Sequence, residues 1–490
     1  MKGIFYAMRI FLISCFILIS CRLNSQPVAL HPDNPHYLIY NGKPLIIISS
    51  GEHYGAVMNL DFDYTKYLIA LERDGMNYTR VFSGFYMETP GQFGIKHNSL
   101  APSSSRLIIP WSRCSVPGYK NGGNKFDLEN WDTEYFVRLK SFLTEAEKRN
   151  IIVEITLFTS IYNNENWEIH PFNPANNINN TQADDFRKVN LLHYPAILAY
   201  QEKMVRKIVR ELNSYNNLIF EIQNEPWADN GKNVLNINEY DPESGKAWVR
   251  HVDIAGDSSL QWQRQIARII ADEEKRLPNK HLIAQNYCNF KYPVRQAEPE
   301  IGIMNFHYVH PENVLLNYGH NRVISFDESG FSGPESVTYR KQAWNFILAG
   351  GGVFNNLDYS FFPGYEDGTG VNDAPGGGDS SLRKQLKVLK DFIEGMNFVK
   401  MKPDSNIIRH APGLFSRSLS WQGREYAIYF EGSGNVEISL SLPEGIYNLQ
   451  WHDVENGSIM HSETINSGSG LVMIKSPGFR DYAALKIVAR

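Results

Sequence analysis

Two short runs of β-branched and aromatic residues each end on a glutamate. The first covers residues 218–225 and ends at Glu225, and the second covers residues 323–328 and ends at Glu328, 103 residues later. Two carboxylates at the ends of separate strands can cleave a glycosidic bond, because one gives and takes a proton while the other attacks the sugar. The pair predicts a glycoside hydrolase.

Strand-like and helix-like segments alternate from about residue 36 to residue 398, which positions the two glutamates in a repeating fold. Eight apolar runs are candidate strands: residues 44–49, 78–82, 151–157, 218–223, 282–286, 302–307, 323–327 and 352–357. Amphipathic helices are predicted at residues 132–150, 199–212, 260–277 and 338–348. This alternation predicts an α/β fold, a (β/α)8 TIM barrel.

The barrel geometry places the carboxylates. Alternate side chains of a barrel strand point inward, so Glu225 comes last on its face and reaches the C-terminal rim, where barrel enzymes carry out their chemistry. Asp327 and Glu328 are neighbours, so we expect them to point in opposite directions, with Glu328 facing the mouth. A separation of three units of about 34 residues puts Glu225 and Glu328 on strands four and seven, roughly across the barrel. There they can lie at the roughly 5–5.5 Å spacing of retaining glycosidases.

The motifs around these residues resemble those of glycoside hydrolase clan A, and within it the cellulase-like family 5 and its relatives. The matching positions are Asn224-Glu225-Pro226 on strand four, Glu328 on strand seven, Asn77-Tyr78-Thr79-Arg80 on strand two and His307-Tyr308 on strand six. The resemblance covers roughly residues 36–360. It implies a retaining enzyme that acts on equatorial β-linkages.

The resemblance also implies roles for single residues. Glu225 would be the general acid/base and Glu328 the nucleophile. Asn224 would bind the sugar 2-hydroxyl, Arg80 would keep Glu328 ionised, and Tyr308, next to His307, would touch the nucleophile. A charged nucleophile does need a cation nearby to lower its pKa, whereas an acid needs an apolar or anionic setting. No residue pattern indicates a metal or another cofactor.

Further candidates for substrate binding lie in the loops and on strand eight. Long irregular insertions follow strands two and three, at residues 83–130 and 159–194, and loops after barrel strands surround the active-site mouth. They carry aromatic residues that could stack on sugars or simply hold the loops to the barrel: Tyr86, Trp111, Trp131, Tyr162 and Trp167. Trp227 and Asn356 complete the predicted set, with Asn356 on strand eight, where the family usually has a tryptophan. Glu52-His53-Tyr54 after strand one matches no pattern that indicates a role.

The two ends of the chain predict export and a second domain. Residues 1–27 have the pattern of a bacterial signal peptide, with a lipobox-like run that ends at Cys21 and an alternative cleavage site after Ser25. The barrel is predicted over residues 28–400. Short alternating runs over residues 406–490 predict a small β-sandwich. We expect a protein exported from a bacterial cell and located in the periplasm, on the outer membrane or outside the cell.

The composition limits the partners. A formal net charge of −5 over 490 residues gives no reason to expect nucleic acid, and a membrane is expected only through a lipid anchor at Cys21. Beyond the signal, only Cys114 and Cys288 remain, either as a single bridge or as two free thiols. We expect a monomer whose partner is a carbohydrate.

The sequence thus predicts a secreted retaining β-glycoside hydrolase for a plant or algal polysaccharide or its oligosaccharides. The rival from another class is a non-catalytic glycan-binding surface lipoprotein on the same fold. A transglycosylase would use the same residues as a hydrolase, and the sequence leaves open which sugar is bound and whether cleavage is internal or terminal. A metal-dependent hydrolase is disfavoured because His53 stands alone after strand one.

Overall fold

The computed structural model describes residues 26–236, 247–468 and 470–490. Its centre is a barrel of eight parallel strands, β1 to β8: Ile47–Gly51, Tyr78–Phe82, Ile152–Thr159, Leu218–Asn224, Leu282–Asn289, Ile301–His307, Val323–Ser329 and Val353–Leu357. From β2 to β8 each strand pairs with the next, and β8 pairs with β1. The predicted (β/α)8 barrel is therefore confirmed. The strand predicted from residue 44 begins only at Ile47, because Pro44 belongs to a separate short strand, Lys43–Leu45.

Side chains close the barrel between β1 and β2, where the backbone ladder of the sheet ends. The Asn77 amide accepts a hydrogen bond from the Ile48 N–H at 3.1 Å and donates one to the Ile46 carbonyl at 2.8 Å. The Ser49 hydroxyl donates to the Tyr78 carbonyl at 2.6 Å. These bonds satisfy backbone groups that would otherwise be buried without partners.

Helices cover the outside of the barrel. They are α1 to α7: Tyr64–Arg73, Thr133–Glu147, Pro195–Leu212, Asp257–Glu274, Glu312–Asn317, Ser336–Leu348 and Ser380–Glu394. Three of them begin at an aspartate whose side chain accepts hydrogen bonds from the first turn, namely Asp63, Asp132 and Asp379. The connection between β5 and β6, residues 290–300, is irregular.

The two ends of the barrel differ in character. The N-terminal end is covered by a sheet of three short strands, Ala29–Leu30, Leu38–Tyr40 and Lys43–Leu45. Leu38 and Tyr40 pack there against the first residues of the barrel strands, so this end is an apolar floor. The opposite end carries the long loops.

The loops at the C-terminal end have structure of their own. A hairpin of Trp111–Pro117 and Asn124–Trp131 follows β2, and a short helix, Asn164–Ile169, follows β3. A second hairpin, Gly231–Asn236 and His251–Ala255, follows β4 and joins the sheet beside β5. Of these segments, the second hairpin lines the cavity above the carboxylates, through Gly231, Asn233 and Asp253.

The C-terminal region forms a β-sandwich, as predicted. Its strands, β9 to β17, are Lys402–Pro403, Ile408–His410, Phe415–Trp421, Glu425–Glu431, Glu437–Leu442, Gly445–His452, Ile459–Ser467, Gly470–Lys475 and Tyr482–Ala489. One sheet has the order β9-β11-β12-β17-β14-β15 and the other β10-β13-β16. The sandwich packs on α6, where the rings of Trp344 and Tyr429 stack at 5.4 Å and Lys341 pairs with Glu431 at 2.8 Å.

The prediction of a signal peptide and of lipidation at Cys21 falls on residues 1–25, outside the described residues. Cys114 and Cys288 are both free thiols. Within the described ranges, none of the helices has the length and hydropathy of a membrane span.

Candidate active site

A cavity of about 440 Å³ opens at the C-terminal end of the barrel, and both Glu225 and Glu328 line it. Much of its wall is aromatic: Tyr54, Phe82, Tyr86, Phe93, Tyr162, Trp227, Trp248, Tyr308 and Phe331. The size and the mixture of rings with a few polar groups are those of a site for a small molecule or for one end of a larger one. Aromatic faces are also what the apolar faces of sugar rings stack against.

Glu225 lies immediately after β4 in a strained backbone conformation. Its φ of 48° is in the left-handed region, as are those of Tyr54 and Tyr308, at 59° and 52°. Such conformations cost about 1–2 kcal/mol each for residues with a Cβ, and they cluster at sites where the surroundings hold them for function. Here the Ser160 hydroxyl donates to the Glu225 carbonyl at 2.6 Å, and the Glu225 N–H donates to the Asn286 amide oxygen at 3.3 Å.

The Glu225 carboxylate is held by two side chains. The Tyr162 hydroxyl donates to Oε2 at 2.7 Å, and Nδ1 of His307 lies 2.9 Å from Oε1. The side chain remains 13% exposed, so it can still meet a ligand in the cavity. Both its oxygens are thereby oriented, as a group that transfers a proton along one direction requires.

Glu328, near the end of β7, accepts three hydrogen bonds. Tyr54 donates to Oε2 at 2.8 Å, Arg80 donates to the same oxygen at 3.2 Å, and Tyr308 donates to Oε1 at 2.6 Å. Burial alone would raise the pKa of Glu328. The charge and hydrogen bond of His307, followed by the charge of Arg80, outweigh burial and hold this pKa below its ordinary value. Glu328 is therefore ionised, as a nucleophile must be.

Arg80, on β2, joins the two glutamate-bearing strands from below. It is completely buried and forms a two-pronged pair with Glu221, at 2.8 and 2.7 Å. The same guanidinium donates to the Asn224 amide oxygen at 2.7 Å and, as noted, to Glu328. One planar cation thus fixes the residue before Glu225 and the charge of Glu328 together.

The separation of the two glutamates follows from His307 between them. Nδ1 of His307 is 2.9 Å from Glu225 and 3.4 Å from Glu328. An oxygen of Glu225 and an oxygen of Glu328 lie within 4.8 Å of each other. Retaining glycosidases hold their carboxyl groups about 5–5.5 Å apart, and inverting ones about 6.5–9.5 Å. The observed spacing is that of a close pair and falls short of the inverting range.

The expectation that Asp327 and Glu328 point in opposite directions is wrong. Phe306 pairs with Phe326 and His307 with Glu328, so Asp327 is the extra residue of a β-bulge in β7. A bulge breaks the alternation of side chains. Both carboxylates therefore point into the barrel: Asp327 lies 3.4 Å from Nε2 of His307 and 3.5 Å from Arg80, beneath Glu328. Burial lowers the pKa of His307, but Glu328 and Asp327 together raise it well above its ordinary value.

The structure brings most of the predicted substrate-binding residues to the site. Asn224, Trp227 and Tyr308 line the cavity, while Arg80 and His307 lie buried beneath it in contact with the glutamates. The Asn224 amide already bonds Arg80 through its oxygen, and its nitrogen donates to the Tyr162 hydroxyl at 2.9 Å.

Trp167 and Asn356 lie away from the cavity lining. Trp167 is on the helix Asn164–Ile169, and its ring packs against His170 at 5.5 Å. Asn356 is buried on β8, where its amide donates to the Ser50 hydroxyl at 3.1 Å and to the Leu357 carbonyl at 2.9 Å. Both side chains hold the fold together around the site, and neither forms its surface.

Four polar residues of the cavity make contacts that the sequence did not predict. Tyr54 and Tyr162 bond the two glutamates, and His53 pairs with Glu88 at 3.1 Å. Tyr162 is among the aromatic residues proposed as stacking platforms, but its hydroxyl is what contacts Glu225. Of the others in that group, Tyr86 lines the cavity, whereas Trp111 and Trp131 stack on each other at 6.4 Å. The run Glu52-His53-Tyr54 is the feature of the sequence that could have indicated that the loop after β1 lines the cavity.

Two groups of described residues have side chains of the types that hold metal ions. One is Glu225, His307 and Glu328, and the other is Glu154, Glu221 and Asp327. The cation beside the second group is Arg80, which bonds Glu221 and lies 3.5 Å from Asp327. In the first group, His307 links the two carboxylates directly. Hydrogen bonds and the charge of Arg80 account for both arrangements.

The fold is that of known glycoside hydrolases. A solved structure named a glycoside hydrolase aligns with a TM-score of 0.61 at 12% identity, over 95% of this chain and 97% of that chain. A glycoside hydrolase family 5 from Bacteroides vulgatus ATCC 8482 aligns with a TM-score of 0.60 at 13% identity, over 94% of this chain and 93% of that chain. The resemblance predicted from the motifs is thus confirmed at the level of the fold. No protein-family model and no curated protein matches the sequence.

Proposed function

We propose that this protein is a retaining glycoside hydrolase that cleaves β-linked oligo- or polysaccharides, with Glu225 as general acid/base and Glu328 as nucleophile. The observation that carries the proposal is the close approach of the two carboxylates, within 4.8 Å at their nearest oxygens, on the surface of one aromatic cavity. The shared fold with a family 5 glycoside hydrolase supports the reaction class. The preference for β-linkages rests on the motif resemblance.

The first half of the reaction forms a covalent intermediate. Glu328 attacks the anomeric carbon, and the bond from that carbon to the glycosidic oxygen breaks as Glu225 gives its proton to this oxygen. The bonds that Tyr54, Tyr308 and Arg80 donate to Glu328 aim the carboxylate and keep it ionised until it attacks. The leaving alcohol then departs on the Glu225 side.

The second half returns the enzyme to its starting state. Water enters where the leaving group was. Glu225 takes a proton from this water, and the water oxygen attacks the anomeric carbon while Glu328 leaves. Two inversions give net retention. Tyr162 and His307 hold Glu225 in one place for both proton transfers, so the same carboxylate serves as acid and then as base.

We also propose that the protein is exported from a bacterial cell, either free or anchored by lipid at Cys21, and that it acts as a monomer. The support for export is the signal-like composition of residues 1–27. Labelling with a lipid precursor, in the full-length protein and in Cys21→Ser, tests the anchor: label lost in the variant supports it, and label absent from both overturns it.

The activity test uses the purified protein with a panel of aryl β-glycosides and β-linked polysaccharides, and follows the product anomers by NMR. We expect the β-anomer first, with activity lost in Glu225→Gln and in Glu328→Gln. Initial release of the α-anomer would overturn the retaining mechanism. Absence of turnover, together with glycan binding that survives both substitutions, would instead establish the glycan-binding protein.

A further inference from the structure

A buried ion pair forms part of the cavity wall, apart from the two catalytic glutamates. His53, in the loop after β1, and Glu88, in the loop after β2, both line the cavity and lie 3.1 Å apart. The Glu88 carboxylate also accepts a hydrogen bond from the Asn98 amide at 2.5 Å. Burial lowers the pKa of His53, but the charge and hydrogen bond of Glu88 raise it above its ordinary value. The pair is thus a fixed contact between two polar side chains at one point of the cavity wall.

The position of this pair relative to the catalytic glutamates identifies the part of the substrate that it meets. The rings of His53 and Tyr54 lie 5.6 Å apart, and Tyr54 donates to Glu328. Trp227 and the hairpin that follows it line the cavity beside Glu225. In a retaining reaction the leaving group lies toward the acid and the glycone lies over the nucleophile. The His53–Glu88 pair therefore belongs to the glycone end.

Hydrogen bonds join the loop that carries Glu88 to the loop after β8. The Lys96 N–H donates to the Asp373 carbonyl at 2.9 Å, and His97 and Asn372 exchange two hydrogen bonds, at 3.0 and 2.9 Å. These bonds join the loop after β2 to the loop after β8. The Ser99 hydroxyl ties the same segment to the first loop, through Glu52 at 2.5 Å. The side chains of His53 and Glu88 are only 8% and 3% exposed, as expected at a closed end.

We propose that Glu88, held by His53, binds hydroxyls of the terminal sugar, and that the enzyme removes sugars one at a time from the non-reducing end. This inference rests on the proposed function and deepens it. An open groove would let the chain continue past the glycone, whereas the joined loops leave room for the end of a chain.

The chemistry of the pair also defines the class of terminal sugar. A carboxylate accepts hydrogen bonds from two neighbouring hydroxyls, and such charge-assisted bonds are the strong ones. A carboxylate on the sugar could not donate a hydrogen bond to Glu88, because both groups only accept. The proposed glycone is therefore a neutral sugar with free hydroxyls at the end remote from the cleaved bond, and sugars substituted there are excluded.

The mode of cleavage is tested with β-linked tetrasaccharides that carry a fluorescent label at the reducing end, made of the sugar found with the aryl-glycoside panel. We expect the first labelled product to be one residue shorter, together with free monosaccharide. A first labelled product shortened by two or three residues would overturn this inference and leave the proposed function intact. Absence of turnover of every aryl glycoside and tetrasaccharide would overturn both.

The role of Glu88 is tested with Glu88→Gln on aryl glycosides that lack one hydroxyl of the glycone at a time. Loss of bonds to a charged acceptor predicts a fall of kcat/KM by about 10- to 150-fold on the full glycoside. On a deoxy-glycoside that lacks one of the bound hydroxyls, the fall from the wild type to the variant should be smaller than on the full glycoside. A merely structural role would give the same loss on every substrate and would overturn the assignment, as would no loss on any of them.

Glu366→Gln is the matched control for this variant. Glu366 is also a buried glutamate in a loop at this end of the barrel, 4% exposed, and it accepts hydrogen bonds from the N–H groups of Asp63 and Gly364. It lies outside the cavity lining, so its variant should keep the wild-type kcat/KM on all glycosides. Thermal melting of both variants separates a loss of folding from a loss of recognition.

Discussion

Replacing Arg80 with methionine should change the pH dependence of activity as well as stability. Arg80 donates to Glu328 at 3.2 Å, and a cation at that range lowers a carboxyl pKa by about 1–3 pH units. Removal of Arg80 should raise the pKa of the acid limb of the kcat/KM profile by this amount, because that limb reports the ionisation of Glu328 in the free enzyme. This change in pKa corresponds to a loss of about 1.4–4 kcal/mol in the stabilisation of ionised Glu328. Breaking the buried pair with Glu221 should also cost about 3–5 kcal/mol of unfolding free energy.

Arg383→Met separates these two effects. Arg383 is equally buried and pairs with Asp74 at 2.7 Å and Asp358 at 2.6 Å, but it contacts neither Glu225 nor Glu328. Urea unfolding should show similar losses in both variants, whereas only Arg80→Met should move the acid limb. Arg80→Lys keeps the charge and should move the limb less. An acid limb that is unchanged in Arg80→Met, at a stability loss equal to that of Arg383→Met, would refute the electrostatic role.

Three further predictions concern the side-chain bonds between β1 and β2, the buried acids and the cavity wall. Asn77→Ala leaves backbone groups at β1 unpaired and should lower the unfolding free energy, measured in urea, by about 2–4 kcal/mol. No loss would contradict the role of Asn77 in closing the barrel between β1 and β2. Burial, then the charges of Glu221 and Asp327, raises the pKa of Glu154 well above its ordinary value. The folded state thus holds a proton that the unfolded state loses near pH 4.3, so stability should fall by about 1.4 kcal/mol per pH unit from that pH up to the raised pKa of the folded state. Glu154→Gln should remove this slope in urea titrations at several pH values, and a pH-independent difference would contradict it. Trp227→Ala removes a ring beside the substrate and should raise KM about 2- to 10-fold; an unchanged KM would place the ring outside the binding site.

The barrel and the two strands that lead to Glu225 and Glu328 were predictable because local patterns carry them. Each buried strand is a short apolar run, and the Asn224-Glu225-Pro226 motif marks the end of β4. Contacts between residues that are distant in the sequence could not be predicted from local patterns. His53 and Glu88 meet across two loops, and nothing in either segment predicts the other.

The bulge in β7 shows a second limit of the sequence pattern. Strict alternation would turn Asp327 away from Glu328, but one extra residue relative to β6 brings both into the barrel. Trp167 shows a third. Its loop reaches the rim, but the ring packs against His170 and stays away from the cavity. The direction of that ring depends on the backbone conformation of the loop, which the sequence pattern does not predict.

The measurement that tests the central claim most directly is the configuration of the products formed with azide from a 2,4-dinitrophenyl β-glycoside. In Glu225→Ala, azide should attack the covalent intermediate from the vacant acid/base side and give the β-glycosyl azide. In Glu328→Ala, it should occupy the nucleophile's place and give the α-glycosyl azide. The same configuration from both variants, or the reverse assignment, would contradict the roles given to Glu225 and Glu328.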